Sequence, residues 1–298
     1  FLITIGCLQA QTADLVLDIN PGPSSGYRPY DENFVALDSI YFFSATDGVH
    51  GIELWRSNGT AAGTWMVKDI QNGAANSDPI RFTVLNNNIV FWANDGTHGD
   101  ELWISDGTET GTVLLKDINA GPGNSIRRNY ADQDFDRLVL NNVLYFAADN
   151  GAQFSQLWKS DGTEAGTLMI QNACPDCTAN SGYTGYFTAI QDNLYFVGGN
   201  ALWRSNGSLI NTMVAFYLTA PGGPQTMRFL KAVGDSLYFA GGPSTSSPDL
   251  WVSDGTLDGT KQIFDLPGAG MPRHFSPLGN QVYFVADKYL WQTDGTGA

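Results

Sequence analysis

Short apolar runs, each separated from the next by a polar turn, recur along the chain and predict β-strands. The run at 89–93, Ile-Val-Phe-Trp-Ala, follows three asparagines and precedes a stretch rich in Asp and Gly. β-Branched and aromatic residues bounded by Gly, Asn and Asp are typical of antiparallel strands. Matching runs lie at 40–43, 144–146, 194–196, 237–239 and 282–284. Because no window keeps a 3.6-residue apolar period, we expect an all-β fold.

A second repeated pattern follows each of these runs. At 101–112 it reads ELWISDGTETGT, and related segments begin at Glu53, Gln156, Ala201, Asp249 and Tyr289. Its tryptophan recurs every 40 to 55 residues, which is the spacing of a repeat with four short strands. The Asp-Gly or Asn-Gly pair predicts a tight hairpin turn, in which the Asp side chain bonds to the backbone two residues later. We therefore interpret 101–112 as the third strand of a four-stranded unit and the turn that follows it.

The burial expected of these strands predicts how the units are arranged. Leu102 and Trp103 are apolar at consecutive positions, as are Tyr145 and Phe146, so both faces of each sheet need cover. Four-stranded sheets packed face to face around an axis form a β-propeller. We predict a single six-bladed β-propeller of four-stranded antiparallel blades over residues 12–298. The tryptophans expected between blades are Trp55, Trp103, Trp158, Trp203, Trp251 and Trp291.

The two ends of the chain suggest how the ring closes. The last unit has its third strand at Leu290, and no fourth strand follows before Ala298. Residues 14–20, DLVLDIN, match the fourth strand expected at 113–119, VLLKDIN. Pairing the termini removes two exposed sheet edges. We predict that the N-terminal segment supplies the fourth strand of the last blade.

Residues 1–11 are predicted to be the remnant of a secretory signal peptide cut near Ala10 or Gln11, because an apolar run is followed by small and polar residues. A buried first strand and a lipoprotein cleavage box at Cys7 remain as alternatives. The formal charge of −15 disfavours a nucleic-acid partner, and no window has the length of a membrane span. We expect a secreted or outer cell-surface monomer.

Two further cysteines, Cys174 and Cys177, lie in the sequence CPDC. In an exported protein, we expect a disulfide that closes a small loop. A redox pair and a zinc site are the alternatives, although a single CxxC is weak evidence for a metal.

The connections between units differ most from one another, and variable loops on a rigid scaffold commonly carry binding. Arg and Tyr side chains gather in and near them, and such side chains suit anionic, sugar or protein ligands. The alternative is that these arginines only offset nearby carboxylates. The candidate ligand-binding residues are Arg28, Tyr30, Arg81, Arg127, Arg128, Tyr130, Tyr186, Arg228, Arg273 and His274.

Three loops between second and third strands begin at Asp47, Asp95 and Asp149. Their carboxylates make them candidates for Ca²⁺, although none has a full ligand series, and plain polar turns are the alternative. No other cofactor or metal is expected. Neither a nucleophile elbow, a zinc protease motif nor a phosphate loop is present in the sequence, so we expect no catalytic residues. A glycan or protein binding module is therefore the leading function, ahead of a polysaccharide hydrolase or lyase and of a purely structural module.

The repeated unit resembles the ELWxxDGT repeat family. Glu101-Leu102-Trp103 with Asp106-Gly107-Thr108 carries the resemblance, as does Glu53-Leu54-Trp55 with Asn58-Gly59-Thr60. The resemblance covers almost everything from Asp14 onward. It implies a secreted or cell-surface bacterial protein, often from Bacteroidetes and often with a type IX sorting domain, and it implies no settled biochemical activity. A role in adhesion is an expectation that belongs to the binding module above. Gln156, Ala201 and Tyr289 depart from the pattern at the Glu position, which argues against an essential role for that carboxylate.

Overall fold

The computed structural model describes residues 13–21, 26, 34–126, 137–152, 155–171, 184–199, 201–217, 219–220, 223–224, 226–242, 249–266 and 270–296. Within these ranges the regular structure is almost all β-strand, with single 3₁₀ turns at Ala61–Gly63 and Leu209–Asn211. The described ranges contain no helix with the length and apolarity that a membrane crossing needs. Residues 1–11, Cys174 and Cys177 lie outside them, so the predicted signal remnant and disulfide stay predictions.

The strands fall into six sheets in chain order. Sheet 1 contains β1 (Phe34–Leu37), β2 (Ile40–Ala45), β3 (Glu53–Ser57) and β4 (Trp65–Lys68). Sheet 2 contains β5 (Ile80–Leu85), β6 (Asn88–Asn94), β7 (Asp100–Ser105) and β8 (Val113–Lys116). Sheet 3 contains β9 (Arg137–Leu140), β10 (Val143–Ala148), β11 (Gln156–Ser160) and β12 (Leu168–Gln171). Sheet 4 contains β13 (Thr184–Ile190), β14 (Asn193–Gly198), β15 (Ala201–Ser205) and β16 (Met213–Tyr217). A short hairpin of β17 (Thr219–Ala220) and β18 (Gly223–Pro224) follows. Sheets 5 and 6 contain β19 (Thr226–Val233), β20 (Ser236–Gly242), β21 (Asp249–Ser253) and β22 (Lys261–Phe264), and then β23 (Arg273–Leu278), β24 (Gln281–Ala286) and β25 (Tyr289–Thr293).

Each sheet is an antiparallel meander in which strands adjacent in sequence pair with each other. The first strands of neighbouring sheets contact one another, as β9 does with β13 and β13 does with β19. The first strand is therefore the innermost strand of its sheet, and the fourth lies at the outer edge. This all-β arrangement of successive meander sheets is β-propeller-like, as the strand pattern predicts.

Apolar clusters join sheet 1 to 2, 2 to 3, 3 to 4, 4 to 5 and 5 to 6, and we call each of these interfaces a seam. Trp103, Trp158 and Trp203 belong to the first three seams, while Trp251 and Trp291 pack against the last two. Each tryptophan can bury roughly 150–250 Å². The predicted packing of tryptophans between sheets is therefore confirmed for these five.

The structure does not show the predicted fourth strand at 14–20. Residues 13–18 belong to no strand, Leu15 is exposed, and sheet 6 has three strands among the described residues. Bringing an N-terminal segment to the last sheet is a long-range step that no local preference enforces. Asn20 nevertheless approaches Gly48 of sheet 1.

Candidate functional site

Four of the innermost strands carry a bulge at the same point. In sheet 2 the pairing register shifts between Ile80 and Thr83, so two residues lie opposite one residue of the second strand. The same shift occurs in sheets 4, 5 and 6. The first residue of each bulge has a positive φ although it is not glycine: Arg81 (59°), Tyr186 (55°), Phe229 (55°) and His274 (58°). We call these four residues the bulge set.

A positive φ is costly for such large side chains, at about 1–2 kcal/mol per residue. Bulges redirect a side chain and are common beside functional sites. The residue that follows in sheets 2, 4 and 6 is a buried phenylalanine: Phe82, Phe187 or Phe275. The second bulge residue is therefore fixed in a seam, and the first points in a different direction: Phe187 lies in the seam between sheets 3 and 4, whereas Tyr186 lies in the seam between sheets 4 and 5.

The bulges lie at one end of the sheets. Ile80 pairs with Trp92, close to Asn94 at the end of β6, and the Asn94 N–H donates to the Ser77 carbonyl at 2.9 Å. The loop between the second and third strands therefore lies next to the connection that enters the innermost strand. We call this end of the molecule the loop face.

The side chains of the bulge set differ from one another in how far they are exposed to solvent. Tyr186 and Arg81 are buried, and Tyr186 meets Phe229 edge to face with ring centroids 5.5 Å apart. His274 is exposed, as are Arg228 and Arg273, which occupy the position just before the bulge. The aromatic pair of Tyr186 and Phe229 occupies the first bulge position of sheets 4 and 5. Three exposed basic side chains, Arg228, Arg273 and His274, occupy that position or the one before it in sheets 5 and 6.

The structure places the described candidate residues as follows. Arg81, Tyr186 and His274 occupy one equivalent position, and Arg228 and Arg273 occupy the one before it. Their convergence on two strand positions could not be predicted from loop lengths. Arg28, Tyr30, Arg127, Arg128 and Tyr130 lie outside the described residues.

Phe229 is not among the candidate residues predicted from the sequence, because that prediction rested on charged and tyrosine side chains. A usable signal was present, since each bulge residue directly precedes a buried apolar residue of the first strand, here Leu230. Repeating that alignment from unit to unit would have identified Phe229.

The aspartate loops use their carboxylates internally. Asp47 Oδ1 accepts from the N–H groups of Val49 and His50, and Oδ2 lies 2.8 Å from His50 Nδ1. Asp95 makes the same set of contacts with Thr97 and His98, with 2.7 Å to the imidazole.

These contacts shift the pKa values of both the aspartate and the histidine. Burial opposes the effect, but the hydrogen bonds from His50 hold the pKa of Asp47 below its usual value. The hydrogen bond with Asp95 raises the pKa of His98. Asp149 accepts from the Gly151 N–H at 2.8 Å. Among the described residues, no group of three or more His, Cys, Asp or Glu side chains is arranged to hold a metal ion.

The glutamate of the repeated unit is a buried clamp. Glu101 is fully buried, and its two oxygens accept from the N–H groups of Ile118 and Asn119 at 2.8 and 3.1 Å. Glu53 binds Ile70 N–H, Ser77 N–H and the Ser77 hydroxyl in the same way. Each carboxylate thus ties the end of the outermost strand, or the connection beyond it, to the third strand.

Burial makes these carboxyl groups hard to ionise. It raises the pKa of Glu101 to about 7 and also raises the pKa of Glu53. A perturbed carboxyl can mark a catalytic acid, but here both oxygens are engaged by backbone donors. We interpret both glutamates as structural.

The rest of the unit has structural roles as well. Asp106 Oδ1 accepts from both the N–H and the hydroxyl of Thr108, and the hydroxyls of Ser105 and Thr112 are 2.7 Å apart. A Cβ on Gly111 would collide with the Asp106 carboxylate, so a larger residue there requires that carboxylate to move. The predicted turn chemistry is present, and the repeated motif is accounted for by the fold.

No family model matches the chain, and no curated protein matches it. Solved structures with similar folds include one from a study of two prolyl endopeptidases and the role of inter-domain dynamics in their catalysis and specificity, with a TM-score of 0.55, 7% identity, and 90% of this chain and 42% of that chain covered. The computationally designed Ika8 protein gives a TM-score of 0.49, 13% identity, and 88% and 68% coverage. A puromycin hydrolase gives 0.46, 13%, and 85% and 42%.

The chain spans less than half the length of the endopeptidase and hydrolase structures. At 7% identity, the likeness to the endopeptidase structure shows the fold alone, and it agrees with a β-propeller-like class.

Proposed function

We propose that the protein is a secreted or cell-surface binding module of the β-propeller type and that its ligand site is on the loop face around the bulge set. The observation that supports this most strongly is the repeated bulge, which keeps a large side chain at positive φ in four sheets. Backbone strain of this kind is concentrated at ligand sites, where geometry matters more than stability.

The side chains suit a sugar or another ligand with anionic groups. Phe229 offers a ring edge-packed against Tyr186, and rings of this kind stack on the apolar faces of ligands. Arg228, Arg273 and His274 supply exposed hydrogen-bond donors in a chain whose formal charge is −15. A glycan with carboxylate or sulfate groups is therefore the ligand class we favour.

A glycan array with neutral, carboxylated and sulfated glycans tests this proposal. We expect wild type to bind an anionic subset and the triple variant Arg228→Ala/Arg273→Ala/His274→Ala to lose that binding. A matched control, Arg204→Ala/Lys231→Ala/Lys261→Ala, removes three exposed basic side chains outside the loop face and should keep it. Equal binding by both variants would contradict the site, and no binding by wild type would leave a structural module as the better account.

The fold proposed for this module is a closed ring of six blades. Asn20 lies against the loop of sheet 1 that contains Gly48, as the end of an outer strand lies against the following sheet. Asn20 approaches Gly48 just as Gln71 approaches Gly96 and Asn119 approaches Gly151. We propose that this segment forms the fourth strand of sheet 6, as the sequence predicts.

Deletion of residues 13–20 tests that strand. We expect the melting temperature of the whole domain to fall, because sheet 6 would lose its outer strand. A deletion variant that melts at the wild-type temperature would contradict this role for the segment.

A secreted or outer-surface location fits residues 1–11 and the resemblance to the ELWxxDGT repeat family. Fractionation of the source cells, with the protein detected by antibody, tests it. Recovery only from the cytoplasm would contradict an exported binding module.

A further inference from the structure

Four asparagines of the chain directly precede a glycine: Asn58, Asn72, Asn150 and Asn206. An asparagine in this position can lose its side-chain amide, because the backbone nitrogen of the next residue can attack the side-chain carbonyl carbon. Glycine favours that attack, since it has no Cβ to obstruct the approach. In a folded protein the reaction depends on what holds the side chain and the nitrogen, and the four pairs differ in both respects.

Three of the four side chains are held by hydrogen bonds that the reaction must break. Asn58 Oδ1 accepts from the N–H and the hydroxyl of Thr60 at 3.1 and 2.7 Å. Asn206 Oδ1 accepts from the N–H and the hydroxyl of Ser208 at 3.2 and 2.8 Å. Asn150 Oδ1 accepts from the N–H two residues later at 3.2 Å. Rotation of any of these side chains toward the glycine nitrogen therefore costs the hydrogen bonds of its turn.

Asn72 is not held in this way. It lies in the connection between sheets 1 and 2, at the loop face, where its side chain is exposed and makes no hydrogen bond with a described residue. Gly73 has a φ of 88°, and apart from its chain neighbours no described heavy atom lies within 4 Å of where its Cβ would be. The space beside Gly73 is therefore open to a ring formed by the two residues.

The nitrogen of Gly73 also has a base beside it. Its N–H donates to Asp69 Oδ2 at 3.0 Å, which is within the reach expected of a general base. The other oxygen of this carboxylate is buried and has no hydrogen-bond partner among the described residues. In the turns of Asn58 and Asn206, the glycine N–H donates to a serine hydroxyl, which is a far weaker base than a carboxylate.

The remaining pair separates the two requirements. The Gly151 N–H donates to Asp149 Oδ1 at 2.8 Å, so a carboxylate is present there too. The side chain of Asn150 is nevertheless held by its turn. Of the four asparagines, Asn72 alone combines an unheld side chain with a carboxylate at the attacking nitrogen.

We propose that Asn72 is a site of spontaneous deamidation, with Asp69 as the general base. The Gly73 nitrogen attacks Asn72 Cγ, and its proton passes to Asp69 Oδ2. The Cγ–Nδ2 bond then breaks, and Nδ2 leaves as ammonia with the proton that Asp69 returns. Water opens the resulting cyclic imide at one of its two carbonyl groups, which leaves an aspartate or an isoaspartate. Either product adds a negative charge at the loop face, and the reaction needs no ligand.

Peptide mapping by mass spectrometry during incubation at pH 8 and 37 °C tests the proposal. We expect Asn72 to convert roughly tenfold faster than Asn58 and Asn206, because the hydrogen bonds of their turns must break first. Protein unfolded in guanidinium chloride is the reference, since unfolding removes the contacts that distinguish the four pairs. Slower conversion of Asn72 in the folded protein than in the unfolded one would overturn the proposal, as would equal rates at Asn58 or Asn206.

Asp69→Asn tests the base, because asparagine still accepts from the Gly73 N–H but does not take its proton. We expect conversion of Asn72 to slow by at least about tenfold. The matched control is Asp117→Asn, at the same position of sheet 2, where Oδ2 accepts from the Gly121 N–H at 3.4 Å. It should leave conversion of Asn72 unchanged. An unchanged rate in Asp69→Asn would overturn the role of Asp69, and the comparison of folded with unfolded wild type decides the site if that variant does not fold.

Discussion

Replacement of Glu101 by glutamine should change how stability depends on pH. The carboxyl group has a pKa near 7 in the folded protein, against an ordinary value of 4.5. Because the folded pKa is the higher one, its contribution to stability is fully present below pH 4.5 and is lost as pH rises through 7. The difference corresponds to at most about 3 kcal/mol. Glutamine resembles the protonated acid and does not ionise, so the variant lacks this loss.

Urea unfolding of both proteins at half-unit steps from pH 4.5 to 8.5 measures the effect. We expect Glu101→Gln to be about 1–3 kcal/mol less stable than wild type at pH 4.5, because its amide NH₂ cannot accept from one of the two backbone N–H groups, and to gain on wild type by at most about 3 kcal/mol as the pH rises to 8. Glu109→Gln, in the exposed turn of the same unit, removes a charge without this environment and should follow wild type. Parallel curves for Glu101→Gln and wild type would refute the assignment of a hard-to-ionise clamp.

Three smaller predictions concern the turns, the seams and the loop face. Ser105→Ala should cost about 1–3 kcal/mol in urea unfolding, because the buried Gly107 N–H loses its acceptor and the Thr112 hydroxyl, which still donates to the Thr108 carbonyl, loses one of its two partners. Gly207→Ala should cost at least about 1–3 kcal/mol, since a Cβ there meets the Tyr145 hydroxyl and the residue has φ 86°. An NMR titration should give His98 a pKa above 6.5 in wild type, and Asp95→Asn should lower it.

Much of the fold was predictable because it is repeated. A strand such as 89–93 has its type fixed by β-branched and aromatic residues, and the same pattern in the other units removes the ambiguity of one short run. The tryptophan seams followed from consecutive apolar residues such as Leu102 and Trp103. The repeated pattern does not determine whether the ring closes, because closure requires residues 14–20 to pair with sheet 6, which is distant in sequence.

The candidate site was harder to predict, since a bulge is not visible in an apolar pattern. Arg81 and His274 looked like loop residues, yet each begins a two-residue bulge inside the innermost strand. Their positive φ arises from the pairing register with the second strand and not from a glycine or asparagine preference. The role of Glu101 was also hidden, because its backbone partners lie 17 and 18 residues further along the chain.

The central claim is that the bulge set is kept for ligand binding at a cost in stability. The pair His274→Gly and His274→Ala tests it most directly, by melting temperature and by affinity for the strongest glycan of the array. Glycine tolerates φ 58° and should be between about 0 and 1.5 kcal/mol more stable than alanine at this position. Both variants should lose affinity by tenfold or more. Wild-type affinity in the glycine variant, together with its greater stability, would contradict the claim.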